Sequence, residues 1–195
     1  FQMRMPAEKL EKLRADYRPE QEIGLFGEDG KLLSRLSLLP LEVWIGGRKL
    51  AMGGVAGVAS WPDARRQGGV RRLLQHAFGR MRENGQSLSM LAPFSFAFYR
   101  KFGYEMTIER KRYTLETKHL PQPAAVPGSV KIASKDGAAL APVYAAYASR
   151  FDGMLARDAG WWEQRVLSKP GIAAVYSDAS GRPQGSPTST SLSST

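Results

Sequence analysis

"VAGVASWPDARRQGGVRRLL", residues 55–74, decides the fold of this chain. An apolar run gives way to a turn carrying Gly68-Gly69, and the turn to a helical pattern. Val70, Leu73, Leu74, Ala77 and Met81 recur at the intervals of one helical face. Arg71, Arg72, Gln75, His76, Arg80 and Arg82 fall mainly on the opposite side. Gly85 stands where a C-terminal cap is expected. A strand, a glycine turn and a helix in that order expose backbone N–H groups at the helix start, where the helix dipole adds positive potential. The glycines let an anion approach the backbone closely, and Arg65 and Arg66 add charge at the same end. This is the chemistry of a phosphate or pyrophosphate site. On the local pattern alone it stands beside a plainer reading, a capped basic surface helix with solvated arginines. No Gly-Lys-Ser/Thr follows, so it is not a Walker loop, and the third glycine of the dinucleotide fingerprint is missing.

On the N-terminal side, "PAEKLEKLRADY" (6–17) predicts a helix with Pro at its start and Leu10, Leu13 and Tyr17 on one face. Residues 22–60 read as three successive antiparallel strands, with tight turns at Asp29-Gly30 and Gly46-Gly47. On the C-terminal side, "SLSMLAPF" is a short apolar strand, and "SFAFYRKFGY" a short helix capped by Ser95 and stopped by Gly103. "YEMTIERKRYTLETK" (104–118) alternates as a long final strand. Residues 120–129 are rich in Pro and Ala and read as a linker. "VKIAS", a helix around 138–150, "WWEQRVL" and "IAAVYSD" then predict a second α/β unit. The expected division is 1–119 for the first domain, with its first strand lying upstream of Phe1, 120–129 for the linker, 130–183 for the truncated start of a second domain, and 184–195 for a disordered tail. The opening at Phe1 and the closing "GSPTSTSLSST", a low-complexity run unable to pack a core, read as those of a fragment with a tail from a shifted frame.

Composition narrows the chemistry. With no cysteine and only His76 and His119, disulfides and thiolate metal sites are excluded, and no metal centre is expected. No apolar run approaches the ~20 residues that span a bilayer, so a soluble, cytoplasmic protein without membrane contact is expected. The net charge of +10 favours an anionic partner. Nucleic acid is the weakest of these, because the basic helix sits in an apolar, strand-rich context that offers no docking motif.

Residues 55–74 resemble motif A of the GNAT acetyltransferases, Arg/Gln-x-x-Gly-x-Gly/Ala, with Arg65, Gly68 and Val70 at the pattern positions. A larger aliphatic residue such as Val70 is typical of the enhanced-intracellular-survival (Eis) branch. "FYRKFGYE" (98–105) is similar to that branch's Tyr-x-x-Phe-Gly-Tyr signature, and "GMLARDAGWWEQR" (153–165) to the opening of its second GNAT-like domain. The resemblance implies an α/β (α+β) fold, a mixed, mostly antiparallel sheet flanked by helices. It implies acetyl-CoA as the acetyl donor and a primary amine as acceptor, on an aminoglycoside-like polyamine or a lysine. It also implies a homo-oligomeric full-length protein. Pantetheine would pair with the strand at Val58 and Ser60, and the pyrophosphate would lie on the amides of Gln67, Gly68, Gly69 and Val70, helped by Arg65 and Arg66. Tyr99 would protonate the departing thiolate. The alternative is a module that binds acyl-CoA without turnover.

Plainer readings stand beside these. Among Phe94, Phe96, Phe98 and Phe102, Tyr99 is also a natural core aromatic. His76 reads as solvated and His119 carries no role. At least one of Trp161 and Trp162 belongs in a core or interface. Glu42 and Asp63 are singletons without telling spacing, and Arg110–Arg112 reads as the solvated face of a strand.

Overall fold

A computed structural model describes residues 6–109, 113–120, 122, 126–133, 137–168, 171–185 and 188–189. The chain forms two compact units, Phe1–Leu41 with Ala51–Tyr104, and Glu42–Leu50 with Glu105–Thr195.

In the first unit, helix α1 (Ala7–Ala15) leads into β1 (Glu22–Phe26), β2 (Leu32–Ile45) and β3 (Arg48–Ser60), then helix α2 (Gly69–Glu83), β4 (Leu88–Leu91) and helix α3 (Phe96–Arg100). The strands lie in the order β1-β2-β3-β4. β1 runs antiparallel to β2, and β3 parallel to β4. The Gly46-Gly47 turn has φ of 54° and 72°, the paired positive values a two-residue hairpin turn demands.

Helix α2 buries the face its spacing predicts. Leu73, Leu74, Ala77 and Met81 pack with Ile23, Leu36, Leu38 and Val55 of the sheet and with Tyr99. Each fully buried leucine contributes about 1.5–3 kcal/mol relative to exposure. The helix ends as the sequence expects, with Gly85 at φ 67°. The Gly85 N–H donates to Arg82 O at 3.1 Å and the Gln86 N–H to Met81 O at 2.8 Å, a Schellman ending that satisfies two terminal carbonyls. By contrast Leu10, Leu13 and Tyr17 of the α1 region are 42–52% exposed. Helical spacing defines a face and does not supply its partner.

The pairing of β3 with β4 stops early. β3 and β4 are in register only from Met52↔Leu88 to Val55↔Leu91, while β3 continues to Ser60. Gly57 lies just beyond the last pair at φ 59°, a left-handed residue inside a strand. The backbone of residues 56–60 thus runs on past the end of β4.

In the second unit, β5 (Ser129–Ile132), β7 (Ile172–Ser177) and β8 (Pro183–Gly185) form a sheet in the order β5-β7-β8, and β9 (Thr188–Ser189) also pairs with β7. Helix α4 (Leu140–Ala148) and helix α5 (Ala159–Trp161), which runs on as a π-helical stretch over Trp162–Leu167, supply its helical residues. Its core joins Leu140, Trp162 and Val175. Of the two adjacent tryptophans, Trp162 is therefore a core residue. The hairpin tip of β2 and β3 belongs to this unit through β6 (Leu155–Ala156), with Glu42↔Ala156 and Val43↔Leu155 in register.

One expectation is corrected. Residues 104–109 and 113–116, read as most of a long final strand, form no strand. Met106, Ile108, Tyr113 and Leu115 are 56–79% exposed. Alternation describes a two-faced segment, but a strand also needs a neighbouring edge for its N–H and C=O groups. Arg110–Arg112 lie outside the described residues, as do Pro121 and residues 123–125 of the expected linker and most of the expected tail. No helix among the described residues is long and apolar enough to cross a membrane.

Candidate active site

Where β3 outruns β4, a cavity of about 730 Å³ opens, a volume within the ordinary range for a ligand site. One side is the free end of β3, at Val58, Ala59 and Ser60. The loop and helix start contribute Ala64, Arg65, Arg66, Gly68, Gly69, Val70 and Arg71. The wall from the α3 region is aromatic, formed by Phe94, Phe98 and Phe102, with Lys101 among them. All the positions expected to hold the cofactor line this one cavity except Gln67. The Gln67 side chain turns back to donate to Asp63 O at 2.9 Å and so braces the loop.

The loop gathers left-handed backbone, open amides and positive charge at the start of α2. Arg66 takes φ 64° and Gly68 φ 80°, two left-handed residues in three. For arginine that conformation costs about 1–2 kcal/mol, and strain of this kind gathers at ligand clamps. Among the described residues no side chain caps α2 at Gly68. The Arg72 N–H reaches Gly68 O at 3.1 Å, but the N–H groups of Gly69, Val70 and Arg71 have no partner among the described residues. Those amides, the positive end of the helix dipole, and the side chains of Arg65, Arg66, Arg71 and Lys101 all border the cavity. None of these four cations is paired with a carboxylate among the described residues.

Neighbouring contacts hold the loop in place. Lys31 Nζ lies 2.7 Å from Asp63 Oδ2, and the lysine's hydrogen bond holds the Asp63 carboxyl below its ordinary range. Asp63, unassigned from sequence, is thus a loop anchor. The Ser34 and Ser60 hydroxyls share a hydrogen bond of 2.8 Å. Buried Ser34 also packs beneath α2: a Cβ on Gly69 would stand 2.7 Å from its Oγ and 3.3 Å from Leu25 Cδ2. Gly69→Ala is therefore expected to lower stability by about 1–3 kcal/mol through overpacking, read as a lower denaturant midpoint. Adding Ser34→Gly should recover most of the loss, and no recovery would show that the contact is not the cause.

Tyr99 is placed differently. It is 3% exposed and belongs to the core, and it does not line the cavity. Its ring meets Phe94 and Phe98 edge-on at 5.3 and 5.2 Å, and these two residues do line it. Its hydroxyl has no hydrogen-bond partner among the described residues, and burial raises its pKa above the ordinary 10.0. Ser95 caps α3 by accepting from the Phe98 N–H at 3.3 Å. The next signature tyrosine, Tyr104, shares a 2.7 Å hydrogen bond with the Ser89 hydroxyl, which donates to Gly53 O and so ties the segment to the sheet.

Sequence reasoning missed Lys101 and the aromatic wall as cavity residues. The phenylalanines were legible only as neighbours of Tyr99. Lys101 had a signal, lying one helical turn from Phe98 and beside Phe102. Of Arg71 and Arg72, both on the polar side of α2, Arg71 lines the cavity and Arg72 does not.

A mixed sheet parted beside a phosphate-type loop is the architecture of the GNAT acyltransferases. Residues 1–107 match the family described as Acetyltransferase (GNAT) domain. The chain belongs to this family of acyltransferase enzymes, whose domains use acetyl-CoA as acetyl donor. Two curated proteins of Streptomyces griseus, each described as an uncharacterized N-acetyltransferase, are 27% identical over 139 residues, 66% of this chain and 33% of theirs. A conserved protein of unknown function from Enterococcus faecalis, described as a probable N-acyltransferase, is 32% identical with a TM-score of 0.78, over 88% of this chain and 45% of that one. A GCN5-related N-acetyltransferase from Anabaena variabilis shares the fold, with a TM-score of 0.74 at 22% identity over 93% of this chain and 47% of that one. The chain thus spans about a third of the length of its curated relatives.

Proposed function

We propose that this protein transfers an acetyl group from acetyl-CoA to a primary amine by direct attack in a ternary complex. The observation that carries the reading is the cavity itself, which joins the free end of β3 to the amides of Gly69, Val70 and Arg71, unpartnered among the described residues. An extended pantetheine arm would hydrogen-bond along Val58–Ser60 as an added strand. The pyrophosphate would sit on these amides, with Arg65 and Arg66 beside it. The neutral amine attacks the thioester carbonyl, the C–N bond forms and the C–S bond breaks. The amine loses a proton and the thiolate gains one. Most of the acceleration comes from alignment and from hydrogen bonds to the developing oxyanion.

We assign Tyr99 as the acid for the thiolate. Its raised pKa keeps the hydroxyl protonated at neutral pH, and that hydroxyl has no competing partner among the described residues. We also place the chain in the Eis branch, on Val70 and on Tyr99, Phe102, Gly103 and Tyr104 of its signature, and read residues 130–183 as the start of a second GNAT-like domain. The acceptor class is an aminoglycoside-like polyamine or a lysine amine. One observation favours the alternative, an acyl-CoA-binding module: Tyr99 is packed as a core residue. The deciding experiment follows free thiol after mixing acetyl-CoA with a panel of polyamines and lysine peptides. Amine-dependent thiol release is expected. Tight acetyl-CoA binding without release would establish the binding module instead.

A further inference from the structure

A second cavity meets the first at the free end of β3. It holds about 290 Å³ and shares Ala59 and Ser60 with the larger one. Its remaining lining is Leu32, Leu33, Ser34, Arg35 and the exposed Trp61, so Arg35 is the single charged residue among them. Along β2, Ser34, Leu36 and Leu38 are buried toward α2, which turns Arg35 and Ser37 to the opposite face of the sheet. There the Arg35 side chain reaches across to β3: a Cβ on Gly57 would stand 3.6 Å from Arg35 Nη2 and 3.2 Å from Ser37 Oγ. Ser37 Oγ donates to Glu22 Oε1 at 2.7 Å, and Glu22 Oε2 lies 3.9 Å from Arg35 Nη1. That last separation is too long for a hydrogen bond. Glu22, which does not line the cavity, therefore orients the guanidinium and leaves its donors open.

An open guanidinium in an otherwise apolar cavity suits a small molecule with a hydrocarbon body and a carboxylate. It opposes a polycation, and among the described residues neither cavity's lining includes a carboxylate to hold a second ammonium. Resting on the acetyl-transfer reading above, we propose that this second cavity receives the acceptor and that Arg35 binds a carboxylate on it. The acceptor is then a small amino acid-type amine, free lysine among them, and not a polyamine. The acetyl group carried along β3 in one cavity and the amine held in the other meet at Ala59 and Ser60, the residues common to both. Leu32, Leu33 and Trp61 cover the acceptor's methylenes, and the planar guanidinium takes its carboxylate through two N–H groups. The volume stands at the lower end of the usual range for ligand sites, roughly 300–1,000 Å³, which suits an amino acid rather than an aminoglycoside.

The test uses pairs of amines that differ only in a carboxylate: lysine against cadaverine, and ε-aminocaproate against pentylamine. Free thiol is followed with acetyl-CoA for the whole chain, unaltered and as Arg35→Gln, Arg35→Lys and Arg35→Glu. The unaltered protein should show a kcat/KM about tenfold or more higher for the carboxylate-bearing member of each pair, the lower end for a charge-assisted contact because Arg35 is half exposed. Arg35→Gln should lose the preference, with the loss falling on lysine and ε-aminocaproate and on KM more than on kcat. Arg35→Lys should keep part of it, and Arg35→Glu should reverse it toward cadaverine. The Kd for acetyl-CoA should move less than about threefold in each variant, since Arg35 does not line the larger cavity. Calorimetry of ε-aminocaproate against the CoA-saturated protein reads the same contact without turnover, and Arg35→Gln should weaken that binding about tenfold. Equal rates within each pair, a preference for cadaverine, or a preference that survives Arg35→Gln would overturn the assignment. Acetyl-CoA binding without thiol release from any amine would overturn the acetyl-transfer reading alone, because calorimetry still reads the Arg35 contact.

Discussion

Tyr99→Phe is expected to lower kcat for acetyl transfer by about 10²–10⁴-fold, the ordinary contribution of a positioned general acid, while leaving the fold intact. The substitution removes one oxygen that makes no hydrogen bond among the described residues, and it keeps the ring that packs edge-on against Phe94, Phe98 and Tyr104. A loss of stability is therefore not the expected route. The pH profile gives a second readout. Burial raises the Tyr99 pKa above 10.0, so the acid stays protonated through neutral pH and is lost only as pH rises through that raised value. The alkaline limb of kcat should lie above 10.0 in the unaltered protein and vanish in the phenylalanine variant. Stopped-flow thiol release across the alkaline range checks both. Unchanged turnover would remove the acid assignment and return Tyr99 to its other reading, a core aromatic.

The second large effect is expected from Arg65→Ala combined with Arg66→Ala. Hydrogen bonds to a charged group are worth about 1.5–3 kcal/mol each when formed. Both side chains are exposed, so solvent screening sets the expectation near the lower end. About tenfold per arginine gives roughly a 100-fold weaker Kd for acetyl-CoA at low salt. The loss should fall on KM more than on kcat, because these contacts are made in the ground state and kept in the transition state. It should also flatten the salt dependence of binding, since two of the screened charges are gone. An unaltered Kd would mean that the loop amides hold the pyrophosphate without side-chain help.

Both predictions concern residues that sequence alone singled out, and the reason is local. A strand, a glycine turn and a helix are read from neighbours in sequence, and so is the amide-rich helix start they create. The Gly46-Gly47 hairpin, the Gly85 helix ending and the Ser95 cap were legible for the same cause, since each depends on residues within one turn of itself. The spacing of Leu73, Leu74, Ala77 and Met81 told which side of α2 is buried. The same kind of spacing at Leu10, Leu13 and Tyr17 described a face that remains half exposed.

By itself, then, the sequence determined the order of elements around residues 55–74 and the positive, glycine-rich start of α2. Tertiary structure alone decided which cations reach the cavity: Arg71 and Lys101 line it, and Arg72 does not. It also set Tyr99 in the core behind two phenylalanines and left residues 104–109 and 113–116 outside any strand. The physical reason is the same in each case. Hydrophobic spacing and turn chemistry act within a few residues, whereas the wall of a cavity and the edge of a sheet are made by segments that meet only after the chain has folded.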